Sequence, residues 1–428
     1  MLSFLRTQRR PRLVSGLLLL SPFLANPLSA SESSDIQSII DTYYYGTYAG
    51  QIPGMNVGVW DNGASVYANS YGYGDLDLGA SGTIGPNPVP MKYTDQMRIA
   101  SLTKTFTVTR ILQLAADGLI SLDDPITAFD GVGGISLANL NYDTSAFGDM
   151  SQITVRDLAR MTSSLADYSN SPGMIAGLQE SLTTVYTESE LLDFARGLPA
   201  TPSTWTYSNT NTLLLGMIVE AVTGNTLGEE LQSHVIEPAG LSSNTYYPTD
   251  ISFTGDHANG YAADGEEMFE DVTDTSPSIA AGAGAMISTF EDMQIWAEVL
   301  ATGVLPDGTS LYGEGNEYMQ ALRLEMVAAD GSGPEYDFYG LGIGEIEEWL
   351  GHSGEFLGYQ HIIMVDPETG RMVVIMINTA DLEEGAHLPT DLFRDIAQYY
   401  ANVPEPSTWA LIAATGVAVV LLKRRRRR

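Results

Sequence analysis

Three short stretches of this chain combine side chains suited to nucleophilic catalysis, and the first is Arg98-Ile99-Ala100-Ser101-Leu102-Thr103-Lys104. Ser101 and Lys104 stand three apart at the head of an apolar-periodic run that reads as a helix ending at Asp117-Gly118, so hydroxyl and amine share one helix face. If the pair is buried, desolvation lowers the lysine pKa until the amine can take the serine proton. The helix N-terminus then offers a backbone N–H to the oxyanion that forms. Taken alone, Ser-x-x-Lys also fits a helix N-cap followed by a solvated lysine. Composition weighs against that reading: ten of the 20 Lys and Arg lie in the two tails, and the only lysines between them are Lys92 and Lys104.

The second stretch, Trp205-Thr206-Tyr207-Ser208-Asn209-Thr210, places a phenol and an amide two apart in what reads as an extended segment before a helix, so both point the same way. A phenol can relay a proton, and an amide can bind a substrate carbonyl; by itself such a segment is most often a polar turn with an N-cap. The third, Gly351-His352-Ser353-Gly354, reads as the end of one strand before another, its glycines letting a substrate backbone lie close along the edge. His352 alone would pass for a hydrogen-bonded surface histidine, and His234, His257, His361 and His387 have no comparable context.

These residues need a scaffold. A helix is expected over 35–45, then strands over 56–60 and 65–71 joined at Asp61-Asn62-Gly63, a strong hairpin signal. From 119 to 277 short helices alternate with polar loops; Thr154 and Asp157 have capping-box spacing, and 213–222 reads as a helix stopped by Thr223-Gly224. A further helix is expected over 287–300. Strands follow over 338–343, 347–352, 360–365 and 371–378, the last two joined by Asp366-Pro367-Glu368-Thr369-Gly370, and a helix over 390–400 closes the body. This order implies an α+β fold: one antiparallel sheet built from both termini, flanked by helices, with a mainly helical subdomain inserted at about 119–277.

At 428 residues, 44% hydrophobic and 17% charged, the chain can bury a large core. With no cysteine there is no disulfide, thiol nucleophile or thiolate metal site. Arg6, Arg9, Arg10 and Arg12 precede an apolar run over 13–24 and Leu28-Ser29-Ala30, the layout of a secretory signal peptide over 1–30 removed by signal peptidase near Ser31. At the other end, Pro404-Glu405-Pro406 precedes an apolar run over 409–422, then Lys423 and five arginines. Those roughly 14 apolar residues are short against the ~20 needed to span a bilayer. Without the tails, ten basic residues face 52 acidic ones, about −42, against −33 for the whole chain. Such a surface repels nucleic acid and anionic lipid and suits a saline medium. The acidic stretch 264–274 lacks calcium-ligand spacing and reads as solvated, and neither a cofactor nor a metal site is expected.

Taken together and in this order, the three motifs resemble the serine beta-lactamase and penicillin-binding-protein superfamily, in its branch with Tyr-x-Asn and His-x-Gly. That branch holds D-Ala-D-Ala carboxypeptidases, D-amino-acid peptidases, class C-like beta-lactamases and esterases. The resemblance covers residues 52–378 and extends to Pro53-Gly54, Tyr71-Gly72-Tyr73-Gly74 and Ala281-Gly282-Ala283-Gly284. It implies that Ser101 is acylated with Lys104 as its base, that Tyr207 protonates the leaving group and helps activate the deacylating water, and that Asn209 orients the substrate amide. It also implies substrate binding along His352, Ser353 and Gly354, and an oxyanion hole from the N–H groups of Ser101 and Glu355.

Two departures stand out: Met161-Thr162-Ser163-Ser164-Leu165 where relatives commonly read His-Thr-Ser-Gly-Leu, and Glu355, which adds negative charge at the substrate edge. The last 26 residues resemble the PEP-CTERM sorting signal that exosortases process on envelope proteins of Gram-negative bacteria. The expectation is an exported acyl-enzyme hydrolase of the periplasm or outer envelope, transiently held in the membrane by its tail. It would act on a D-amino-acid peptide such as a peptidoglycan stem, a beta-lactam or an ester. The competing expectation is a surface-sorted binding protein that keeps the fold without turnover.

Overall fold

The computed structural model describes residues 27–201, 204–263, 268–329, 334–380 and 387–402. Most of the expected signal peptide, the 264–267 part of the acidic stretch and the whole tail from 403 lie outside the described residues. The N-terminal hairpin forms as read: β1 (Gly54–Asp61) and β2 (Ala64–Asp75) pair antiparallel around Asn62 (φ 48°) and Gly63 (φ 77°). Two successive left-handed residues give a turn whose twist matches that of the strands, which is why Asn-Gly sits there.

The C-terminal strands β3 (Trp349–Phe356), β4 (Tyr359–Val365) and β5 (Arg371–Ile377) form a meander. β5 then pairs antiparallel with β1, from Met55 opposite Ile377 to Asp61 opposite Arg371, so the two ends of the body share one nine-stranded sheet. Beyond β3 lie the short strands Gly344–Ile346, Phe338–Tyr339 and Val327–Ala328. All seven residues of β5 are buried, because both faces of the sheet are covered and a two-sided strand shows no apolar alternation.

Five helices make the covering layers: α1 (Pro27–Thr42), α2 (Thr103–Ala116), α3 (Asn209–Thr223), α4 (Phe290–Thr302) and α5 (Leu388–Asn402). On one face Ile36, Ile40, Phe393 and Ile396 of α1 and α5 share a core with Val373 and Ile375. On the other, Phe106, Leu215 and Trp296 of α2, α3 and α4 share a core with Val374 and Met376. Residues one apart on β5 thus serve opposite cores, as a period of two requires.

Several boundaries differ from the sequence reading. α1 begins at Pro27, so the cleavage point expected near Ser31 falls inside a helix, and it ends in a wider π-turn over Tyr43–Thr47. α4 begins at Phe290 behind the cap Thr289, because Ile287–Ser288 instead pairs with Met97–Arg98 as a short ladder just ahead of Ser101. Tyr339 ends its strand, and the next hairpin turns at Glu347 and Glu348, both with positive φ, so β3 starts at Trp349. The region 119–277 carries the expected helices, including the capping box Thr154/Asp157 ahead of Val155–Arg160. It also holds strands Tyr261–Ala263 and Phe269–Asp271, which pair through Tyr261 and Ala262 with Thr379–Ala380 and tie it back to the end of the meander. No helix among the described residues is long and apolar enough to cross a membrane, and the 409–422 segment lies outside them.

Candidate active site

Ser101 occupies a tight turn, Ala100–Leu102, that runs directly into α2. Ala100 adopts φ 51°, a conformation unfavourable for a residue with a Cβ, so the backbone is strained next to the serine and must be held by its surroundings. Four contacts to the segment 282–286 supply that hold. Ile99 N–H donates to Met286 O (2.9 Å), Met286 N–H to Thr103 Oγ1 (3.1 Å), Thr107 Oγ1 to Gly282 O (2.8 Å) and Lys104 Nζ to Ala283 O (2.8 Å).

Lys104 is fully buried, and its Nζ lies 2.8 Å from Ser101 Oγ. Burial brings its pKa down to about 7, opposed by the negative charge of Asp167. A neutral amine is therefore available near neutrality to accept the serine proton. Nζ also stands 4.9 Å from the centre of the Tyr207 ring. Burial holds the Tyr207 phenol well above its ordinary pKa, with the neighbouring Tyr339 and Tyr336 adding to the effect and the Ser101 hydroxyl opposing it. Its OH is buried and makes no hydrogen bond of normal geometry among the described residues, so it stands protonated beside the nucleophile.

Asn209 is the first residue of α3, with Ser208 as the extended N-cap, so Tyr207 and Asn209 converge on the pocket from a loop-to-helix junction rather than from one extended segment. The Asn209 amide donates to Asp167 Oδ2 (2.9 Å) and Ser169 Oγ (3.2 Å), which leaves its oxygen to accept from a substrate. The Met161–Leu165 departure is accommodated by left-handed Met161 (φ 62°) and Ser164 (φ 61°). Met161 O still accepts Thr206 N–H (2.9 Å), and Asn211 contacts both Ser163 and the Met161 sulfur, so the loop anchors the Tyr207 segment.

The His352 stretch lies within β3 rather than between strands. Pairing with Gly344–Ile346 stops at Gly351, so the edge from His352 to Phe356 is open on that side. Ser353 N–H points to this open side, where the Tyr336 hydroxyl accepts it (2.9 Å), and by strand periodicity Glu355 N–H, two residues on, points the same way. A Cβ on Gly354 would fall 2.7 Å from Ile99 O, so only glycine lets β3 lie this close to the Ser101 turn.

His352 itself is fully buried behind the pocket. Its Nε2 is 2.9 Å from Tyr339 OH, its Nδ1 contacts Ser353 O, and Tyr207 and Tyr336 pack against the ring. Burial, then the Lys104 charge, push its pKa down to about 3, so the imidazole is neutral.

Ser101 stands between two cavities. One, of about 350 Å³, is walled by Tyr207, Asn209, Ser353, Glu355 and residues that no local motif announced: Glu335, His387, Thr390 and Asp391. Among the described residues no lysine or arginine lines it. His387 bonds Thr390 Oγ1 (2.8 Å) and reaches Gly354 O (3.3 Å), and burial lowers its pKa to about 4. The other, about 220 Å³, is mostly apolar, with Tyr168, Met174, Leu178, Ile279 and Phe356 in its wall. Among the described residues no three His, Asp or Glu side chains converge as a metal site.

Comparison with known proteins adds the following. The family model described as Beta-lactamase matches residues 35–397, and the PEP-CTERM protein-sorting motif matches 402–428. The chain is 25% identical over 349 residues to Protein flp of Staphylococcus aureus (strain MW2), covering 81% of this chain but only 64% of that relative. It is 25% identical over 356 residues to Penicillin-binding protein 4 of Amycolatopsis lactamdurans, covering 79% and 86% of the two chains. A solved D-stereospecific amidohydrolase from Streptomyces sp. superposes with a TM-score of 0.63 at 26% identity, covering 81% of this chain and 94% of that one.

Proposed function

Since the chain belongs to the beta-lactamase family, whose members include serine hydrolases, we propose that it is an exported acyl-enzyme hydrolase with Ser101 as nucleophile. The observation that carries this reading is the 2.8 Å contact between Ser101 Oγ and a fully buried Lys104 whose pKa lies at about 7. Neutral Lys104 takes the Ser101 proton as Oγ attacks the substrate carbonyl carbon. The N–H groups of Ser101 and Glu355 hold the oxyanion, each such donor contributing roughly 3 kcal/mol. As the carbon–nitrogen or carbon–oxygen bond breaks, Tyr207 gives its proton to the leaving group and recovers one from Lys104. Water then attacks the Ser101 ester, loses its proton to the Tyr207–Lys104 pair, and restores the serine hydroxyl. Asn209 receives the substrate amide, while buried, neutral His352 orients β3 from behind through Tyr339.

The substrate class follows from the cavities. Carboxylates from Glu335, Glu355 and Asp391, with no lysine or arginine among the described lining residues, disfavour a free carboxylate beside Ser101. They favour an amide or ester that is neutral there or bears an amino group, with an apolar group in the smaller cavity. The solved relative's description as a D-stereospecific amidohydrolase agrees with a D-amino-acid amide or peptide. Signal peptidase and exosortase would process the two ends, with the 409–422 segment a temporary membrane tether before release to the outer envelope. The test is a panel of D-amino-acid amides, D-Ala-D-Ala peptides with free and amidated C-termini, nitrophenyl esters and nitrocefin. The amidated peptide should be cleaved with the higher kcat/KM. A clear preference for the free carboxylate sinks the charge argument, and no turnover of anything in the panel favours a silent binding protein.

A further inference from the structure

A third cavity, about 890 Å³, lies in the helical region away from the serine. Its walls come from the helix Glu188–Ala195, the C-terminal part of α3, the helix Leu227–Leu231, the segment 246–251 and the segment 276–285. Aromatic and apolar surface from Tyr186, Tyr246, Tyr247, Pro248, Ile251 and Pro277 dominates it, and Val185 stands 75% exposed at its side.

Among the described residues its charges are all of one sign: Glu188, Glu220, Glu229 and Asp250 line it, and no lysine, arginine or histidine does. Three of these carboxylates are already engaged. Glu220 Oε1 accepts Leu227 N–H (2.7 Å), Glu229 Oε2 closes the cap at Thr226 (2.9 and 2.8 Å), and Asp250 Oδ1 accepts Ser252 N–H (2.7 Å). Glu188 makes no hydrogen bond or ion pair among the described residues. A half-buried carboxylate without a partner, facing tyrosine rings, is costly unless a cation supplies the missing charge.

We propose that this cavity binds an organic cation with an apolar body, such as a quaternary ammonium, with Glu188 as its counter-charge and the tyrosines as its walls. The site is separate from the Ser101 pocket, although its back wall includes Ala281 and Ala285, which flank the Ala283 carbonyl holding Lys104.

The titration behaviour agrees with this geometry. Burial, then the Glu220 charge, raise the Glu188 pKa to about 7 in the empty cavity. The other titratable groups lining the cavity are Tyr186, Tyr246, Tyr247, Glu229 and Asp250, of which Tyr247 is itself pushed upward by burial and by Glu188 and Glu220. Tyr168, whose phenol is also raised, lies near enough to feel Glu188. Glu188 therefore gains its charge as pH rises through 7, and cation affinity should rise with it.

Binding of phenyltrimethylammonium, followed by ligand-observed NMR on the full chain, tests the proposal. Affinity should increase on the order of tenfold between pH 5.5 and 8. It should fall by a similar factor in Glu188→Gln at pH 8, and it should survive phosphonylation of Ser101 by a fluorophosphonate. The uncharged isostere tert-butylbenzene should show no such pH dependence. No binding at pH 8, a pH-independent affinity, or loss of binding on phosphonylation each overturns the assignment, the last returning the ligand to the serine pocket. Should Glu188→Gln fail to fold, the wild-type pH series and the phosphonylation control decide the matter unaided.

Discussion

At the scale of single residues the chemistry rests on how far burial moves one lysine. Because Lys104 must be neutral to accept a proton, kcat/KM for acylation should climb with pH through about 7 and then level off. Asp167 holds that pKa up, so Asp167→Asn should move the acid limb to lower pH. An unchanged limb would mean that another group sets it. Asp167→Asn also changes the partner of Asn209, so KM should rise alongside the shift. Ser101→Ala should abolish labelling by a fluorophosphonate, and intact-protein mass spectrometry should place the wild-type adduct on the Ser101 peptide. Lys104→Ala should lower acylation by at least ~10²-fold while leaving substrate affinity nearly unchanged.

At the scale of elements the decisive feature is the approach of β3 to the Ser101 turn. Gly354→Ala would place a methyl group 2.7 Å from Ile99 O, so strand and turn must separate. The expected outcome is a loss of about 10²-fold or more in kcat/KM with little change in far-UV circular dichroism, since a displaced oxyanion donor matters more to the transition state than to the fold. An active Gly354→Ala enzyme would show that Glu355 N–H has no part in the oxyanion site. Much of this level was legible in the sequence. Asn62-Gly63, the Thr154/Asp157 box and the glycine stop at Gly224 act locally, so their elements stand where their residues say. The sequence reading places β3 over 347–352, stopping short of Phe356, because the residues from Trp349 to Gly354 are all buried and no alternation marks the strand. The acidic rim of the pocket was invisible for another reason. Glu335, His387 and Asp391 carry no motif and meet Ser101 only through the tertiary fold, as does the 282–286 segment, whose glycines and alanines gave no hint that a carbonyl there would hold the lysine.

At the scale of the whole molecule, His352 and His361 are fully buried with pKa values pushed down to about 3 and about 4, and His387 joins them at about 4. Below pH 6.5 the unfolded chain binds protons that the folded one refuses, so stability falls as pH drops from 6.5 towards 4. Each fully buried histidine contributes a slope of about 1.4 kcal/mol per pH unit across that window. Urea midpoints at pH 7 and pH 5 check this, and equal midpoints would mean that the imidazoles are not buried as described. A last consequence follows from the way α1 and α5 run against each other. Glu32 meets Tyr400, Asp35 meets Tyr399 (3.2 Å) and Tyr43 meets Asp395 (2.9 Å), so the two helices are antiparallel. The start of α1 and the end of α5 therefore share one pole. A leader threaded through one membrane site and a tail caught at another would pull on the same spot of the folded body, like two strings tied to a single button.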